Sequence, residues 1–82
     1  MQIKLFNEKE EFQVTLNVDE EKYKTLAEIV EFVISYLYAI YMTDESYYFP
    51  YGEDRVQLDF GTHGCNWTVL EKVKDDQDFS AQ

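Results

Sequence analysis

Alternating apolar and polar positions near the start of the chain predict a β-hairpin. Ile3 and Leu5 share one face of a strand over residues 2–6. Residues 11–18 alternate more regularly and predict a second, half-buried strand. Its apolar face consists of Phe12, Val14, Leu16 and Val18.

After residue 19 the apolar spacing changes from two residues to three or four, which predicts one long helix. Asp19 is the expected N-cap, and no Gly or Pro interrupts the chain before Met42. The main apolar face comprises Tyr23, Leu26, Val30, Val33, Leu37 and Ile40. A second apolar stripe comprises Ile29, Phe32, Tyr36 and Ala39.

Such a helix would be about 35 Å long, whereas strands of this length measure roughly 20 Å. The C-terminal turns of the helix would therefore extend beyond the sheet. Either the following loop folds back to cover them, or they contact another protein chain.

The second half of the chain predicts a loop followed by another hairpin. Residues 43–54 contain the only proline and are expected to form the loop. Residues 55–60 alternate again, with Val56, Leu58 and Phe60 on one face. A glycine-bearing turn leads to a last strand at 66–73, whose expected core residues are Trp67, Val69 and Val73.

These elements predict an α+β domain over residues 1–74, in the order β-β-α-β-β. The expected architecture is a four-stranded, mostly antiparallel sheet with one long helix packed on one face. Residues 75–82 are expected to be an acidic, frayed C-terminal tail.

Composition then narrows the class of protein. The chain has 82 residues and a net charge of −10, with 45% apolar and 17% aromatic residues. The aromatic content indicates a folded domain rather than a disordered acidic segment. The negative charge argues against direct binding of nucleic acid, which requires a basic patch.

The cysteine count and the apolar runs favour a cytoplasmic protein. The single cysteine, Cys65, cannot form an internal disulfide, whereas small secreted domains usually carry several. The start of the chain lacks the apolar core of a secretory signal. The longest uncharged run, Phe32–Thr43, has twelve residues and is too short to span a membrane.

No residue pattern predicts catalysis. His63 is the only histidine and lies two residues from Cys65. Together with Asp59 these two residues would supply only three zinc ligands, and as a nucleophile–base pair they have no second histidine to support them. No glycine-rich phosphate loop is present. We therefore expect no catalytic residue, metal or cofactor.

The distribution of charge predicts a binding surface. From Thr25 to Asp54 the chain has no Lys or Arg, yet it contains six of the seven tyrosines. Acidic side chains steer basic partners, and tyrosine is enriched among interface hot spots. The candidate partner-binding residues are Glu28, Glu31, Asp44, Glu45, Tyr47, Tyr48, Tyr51, Glu53 and Asp54.

This surface chemistry resembles that of small bacteriophage inhibitors that mimic DNA, including some anti-CRISPR proteins. The segment Tyr47–Asp54 is also similar to the Tyr-Tyr-Pro segment and following acidic residues of immunity proteins that neutralise nuclease toxins, with an additional Phe49 before Pro50. Those immunity proteins are all-helical, so the likeness covers eight residues and their chemistry.

The resemblance implies an inhibitor that binds the basic, nucleic-acid-binding surface of a nuclease or related enzyme. Two alternatives remain open at this point. The acidic residues could simply form a solvated face. The chain could also be a non-catalytic assembly or dimerisation module that uses the broad apolar face of the helix, with Tyr36, Tyr38, Ile40 and Met42 as contacts.

Overall fold

The computed structural model describes residues 1–40, 43, 45–61 and 64–71. The elements, in chain order, are β1 (Gln2–Asn7), β2 (Phe12–Asn17), α1 (Leu26–Ala39), β3 (Tyr47–Tyr51), β4 (Asp54–Gly61) and β5 (Gly64–Glu71). The strands form one sheet in the order β2-β1-β3-β4-β5, and each neighbouring pair is antiparallel. The predicted α+β class is confirmed, but the sheet has five strands rather than four.

The additional strand, β3, comes from the segment that the sequence predicted to be a loop. It occupies the centre of the sheet, between β1 and β4. Tyr47 and Phe49 point into the core because the segment has the period-two alternation of a strand. Pairing with β1 ends at Tyr48, so Pro50 lies where β3 pairs with β4 alone and a missing N–H is tolerated.

The helix is shorter than predicted, since it begins after Thr25 and not after Asp19. Thr25 and Glu28 form a capping box, in which each side chain accepts from the backbone N–H of the other. Asp19 instead organises a preceding turn: its carbonyl accepts from the N–H groups of Lys22 and Tyr23.

With 14 residues the helix is about 21 Å long, which matches the strands, and the predicted overhang is wrong. The residue expected at its end, Met42, lies outside the described residues. The helix buries Ile29, Val30, Val33 and Leu37 against the sheet.

The core lies between the helix and one face of the sheet. The predicted core faces of the two hairpins are confirmed for Ile3, Leu5, Leu16, Val18, Val56 and Leu58. Phe12 is an exception, with 55% of its surface exposed. A register shift after Leu5 pairs Phe12 with Phe6 and turns both rings to the helix-free face.

Trp67 was predicted to be a core residue, and this prediction is wrong. Its pairing with Leu58 places it on the helix side of the sheet, but the side chain is 39% exposed. A helix about 10 Å wide cannot cover five strands spaced about 4.8 Å apart, so the edge strand β5 remains partly uncovered. Val73 lies outside the described residues.

Within the described ranges, none of the helical structure combines the length and apolar content that a membrane crossing requires. The tail at 75–82 also lies outside those ranges, and the domain boundary at residue 74 remains a prediction.

Candidate functional site

The structure separates the three tyrosines that were predicted to form one exposed set. Tyr47 is only 3% exposed and packs edge-on against Phe60, with ring centroids 6.2 Å apart. Tyr51 lies on the same side and packs against the core. Tyr48 lies on the opposite, helix-free face. Tyr47 is therefore a core residue, because successive side chains of a strand alternate between the two faces of the sheet.

The strand registers show which acidic residues share an end of the sheet. Asn7 of β1 pairs with Tyr47 of β3, and Gln2 pairs with Asn17 of β2. The segment after β2 and the hairpin after β3 therefore project from the end of the sheet where β1 begins. We call this the acidic end. Its side chains are Asp19, Glu20, Glu21, Glu53 and Asp54.

The β3–β4 hairpin presents two of these carboxylates through a tight turn. Tyr51 pairs with Asp54 across a two-residue loop of Gly52 and Glu53. Gly52 has a φ of 63°, which suits the first position of a type II′ turn, where an L side chain would be strained. The turn leaves Glu53 exposed and Asp54 half-buried.

Glu28 belongs to the helix terminus and is committed to a structural role. Its carboxylate accepts from the backbone N–H of Lys24 at 2.8 Å and of Thr25 at 3.0 Å. These hydrogen bonds lower the pKa of Glu28 because they stabilise the ionised form. At the far end of the helix Tyr38 packs on Phe60, with centroids 5.4 Å apart, so Glu28 lies toward the acidic end.

Glu31 is exposed one turn further along the helix, beside a shallow groove of about 320 Å³. The groove is walled by the tilted ring pair of Tyr23 and Phe32, at 5.1 Å, and Lys22 lies over the Tyr23 ring at 5.5 Å. The charged residues that line this groove are Lys22, Glu28 and Glu31.

The predicted acidic set is thus brought together only in part. Glu53 and Asp54 share the acidic end, and Glu28 lies toward it. Glu45 precedes β3 and lies at the opposite end of the sheet. Asp44 lies outside the described residues. Sequence reasoning missed residues 19–21 because it assigned them to the helix, although the first hairpin returns them to the start of β1.

Most of this charge is not neutralised by the residues that the structure describes. Among the residues that the structure describes, one ion pair is present, between the N-terminal amine of Met1 and Glu20 at 3.2 Å. The amine also donates to the carbonyl of Val18. Among the described residues, the other carboxylates of the acidic end therefore have no ion-pair partner.

The helix-free face carries a second feature that the sequence did not predict. A row of side chains crosses the whole sheet on this face, which we call the cross-sheet row: Phe12, Phe6, Tyr48, Arg55 and Leu70. Tyr48 pairs with Gln57 in the register, and Arg55 is its diagonal neighbour on β4. Phe6 stacks on Tyr48 with centroids 5.2 Å apart. The Arg55 guanidinium lies 3.5 Å from the centre of the Tyr48 ring. Since β1 and β4 flank β3, the ring is held between Phe6 and Arg55.

Of the two residues considered for catalysis, the structure describes Cys65. Cys65 is a free, half-buried thiol, and burial raises its pKa, with a further increase from the negative charge of Asp59. A raised pKa leaves less of the reactive thiolate at neutral pH. His63 lies outside the described residues, and no group of metal-binding side chains occurs among those that are described.

Comparison with protein-family models, with curated proteins and with solved structures finds no match to this chain.

Proposed function

We propose that this chain is a small, non-catalytic inhibitor that binds the basic, nucleic-acid-binding surface of a nuclease or another nucleic-acid-handling enzyme. The observation that carries the proposal is the acidic end, where carboxylates from two loops project together. Only Glu20 among them has an ion-pair partner within the described part of the chain. In this proposal the chain acts as a DNA mimic in the cytoplasm, of the phage anti-defence or nuclease-immunity type.

The physical basis is competition for the same cations. An enzyme that binds DNA presents Arg and Lys to phosphates, and carboxylates on a rigid scaffold can occupy those positions. The long-range field of a chain at −10 also accelerates association with such a surface. Two of the three tyrosines predicted to be hot spots remain candidates: Tyr51 at the acidic end and Tyr48 on the helix-free face.

The structure favours this proposal over a helix-mediated assembly module. The broad apolar face of the helix is largely used inside the domain, where Val30, Val33 and Leu37 are fully buried. Tyr36 also packs against the core, which leaves Tyr38 and Ile40 as the large exposed apolar side chains of the helix and its cap in the described part of the chain. Two such side chains form a small contact area.

The proposal is tested by affinity capture from a bacterial lysate with the full chain as bait, at low and at high salt. The expected result is a basic nucleic-acid-binding protein that is retained near 0.1 M salt, released near 1 M, and displaced by double-stranded DNA. Screening over this range shortens the Debye length from about 10 to 3 Å.

Two single charge reversals provide the matched comparison. Glu53→Lys changes the acidic end, whereas Glu8→Lys makes the same change of net charge in the β1–β2 turn at the opposite end. Both residues are exposed, and neither has a side-chain hydrogen bond or ion pair with a described residue. Equal capture by both variants, or capture that DNA does not displace, would contradict the proposal.

A further inference from the structure

A cavity of about 230 Å³ opens on the helix-free face, beside the cross-sheet row. It is lined by Phe6, Glu10, Tyr48, Pro50 and Arg55. The aromatic and proline walls are apolar, whereas Glu10 and Arg55 supply one charge of each sign. Its size is suited to a single amino-acid residue or a short piece of peptide rather than to a metal ion.

Neither charged group has an ion-pair partner among the described residues. Both line the cavity, yet they are too far apart for an ion pair. The Nε–H of Arg55 is buried without an acceptor among the described residues. The only interaction of the guanidinium in this part of the chain is with the Tyr48 ring. A buried donor without an acceptor is destabilising, so the site retains unmet hydrogen-bonding capacity.

The backbone at Glu10 is an independent indication. Glu10 has a φ of 65°, in the left-handed region that favours glycine. The three-residue turn requires this conformation: the N–H of Glu10 donates to the carbonyl of Asn7, and the N–H of Asn7 donates to that of Glu11. A glycine would satisfy the turn with less strain. The residue present is instead a glutamate that lines the cavity, and strained residues cluster at functional sites.

We propose that this cavity binds a neutral amide group of an extended peptide segment from a partner protein. The amide carbonyl accepts from the Arg55 guanidinium, and the amide N–H donates to the Glu10 carboxylate. An apolar side chain of the peptide packs against Phe6 and Pro50. The lining charges favour this ligand, because Glu10 and Arg55 carry opposite charges and a dipolar amide group complements both.

The site is distinct from the acidic end and does not depend on the proposed inhibitor function. Glu53→Lys is expected to leave peptide binding unchanged. Failure of one proposal can therefore be recognised separately from failure of the other.

The test is an NMR titration of the full chain with three probes that share the leucine side chain and differ in net charge. N-acetyl-leucinamide is neutral, N-acetyl-leucine is an anion, and leucinamide is a cation. The neutral amide is expected to bind best and to shift the backbone resonances of Glu10, Tyr48 and Arg55. A blocked tripeptide, acetyl-Ala-Leu-Ala-amide, is expected to bind more tightly than the single amide.

Glu10→Gly is the decisive variant because it removes the acceptor while relieving the backbone, so that the domain stays folded. It is expected to weaken amide binding by roughly tenfold or more, since a hydrogen bond to a charged group is lost. Glu8→Gly, in the same turn but outside the cavity, is the control and should bind normally.

Three results would overturn the proposal. Preference for the anionic or the cationic probe would show that one charge dominates. Absence of any localised shift would show that the cavity holds only water. Equal affinity for the tripeptide and the single amide would exclude a peptide chain as the ligand.

Discussion

Truncation of Phe49 to alanine tests most sharply whether the tyrosine-rich segment is a core strand or a loop. Phe49 is the largest fully buried side chain among the described residues and lies on the central strand β3. Phe→Ala changes at such sites cost about 3–5 kcal/mol, from lost burial and from the cavity that remains. For 82 residues the total stability is about 4–12 kcal/mol, so the variant is expected to lose a large part of it.

The assay is urea denaturation followed by circular dichroism, together with a thermal melt. At about 4–8 °C per kcal/mol, the expected fall in Tm is roughly 12–40 °C. Phe12→Ala is the matched control, because its ring is more than half exposed, and should cost about 1 kcal/mol. Trp67→Ala should fall between the two. A cost below 1 kcal/mol for Phe49→Ala would refute a core β3 and restore the loop interpretation.

Three further predictions concern local chemistry. Glu28→Gln should be less stable than the native chain near neutral pH, and the difference should shrink as the pH falls below about 4.5, because the pKa of Glu28 is lowered on folding and its contribution is lost on protonation; denaturation at several pH values measures this, and a constant difference would contradict it. Glu10→Gly should raise the free energy of unfolding by about 1 kcal/mol, since a left-handed L residue is strained; a loss of stability in chemical denaturation would show that the turn is not strained. Alkylation of Cys65 near pH 8 should be faster in Asp59→Asn, because a negative charge that raises the thiol pKa is removed; an unchanged rate would exclude this electrostatic influence.

The sequence predicted the fold class and most of the core, and its errors have identifiable physical causes. Clean alternation located the first hairpin and β4, because burial of one sheet face imposes a period of two. The same alternation is present in β3, but Pro50 and the nearby Gly52 suggested a loop. The strand persists because pairing of β3 with β1 stops before the proline.

The helix boundary was misplaced because two N-cap sequences compete. Asp19 followed by two glutamates has the composition of a helix start, but Thr25 with Glu28 forms the complete capping box. This error also displaced part of the candidate site, since residues 19–21 were assigned to a helix rather than to the end of the sheet.

The cross-sheet row on the helix-free face could not be predicted from local sequence patterns. The cross-sheet row joins residues from all five strands, and it depends on strand order and on the register shift that turns Phe12 outward. Neither property follows from periodicity along a single strand. Sequence alone likewise gave no reason to place Glu10 beside Arg55.

The measurement that tests the central claim most directly is the salt dependence of the dissociation constant between this chain and its captured basic partner. The native chain and Glu8→Lys are expected to weaken in parallel as salt rises from 0.1 to 1 M. Glu53→Lys is expected to bind about tenfold more weakly at 0.1 M and to depend less on salt, because a carboxylate at the contact is replaced by a lysine, whose positive charge repels the basic surface of the partner. An affinity that is insensitive to salt, or identical for the two variants, would contradict the assignment of the acidic end as the binding surface.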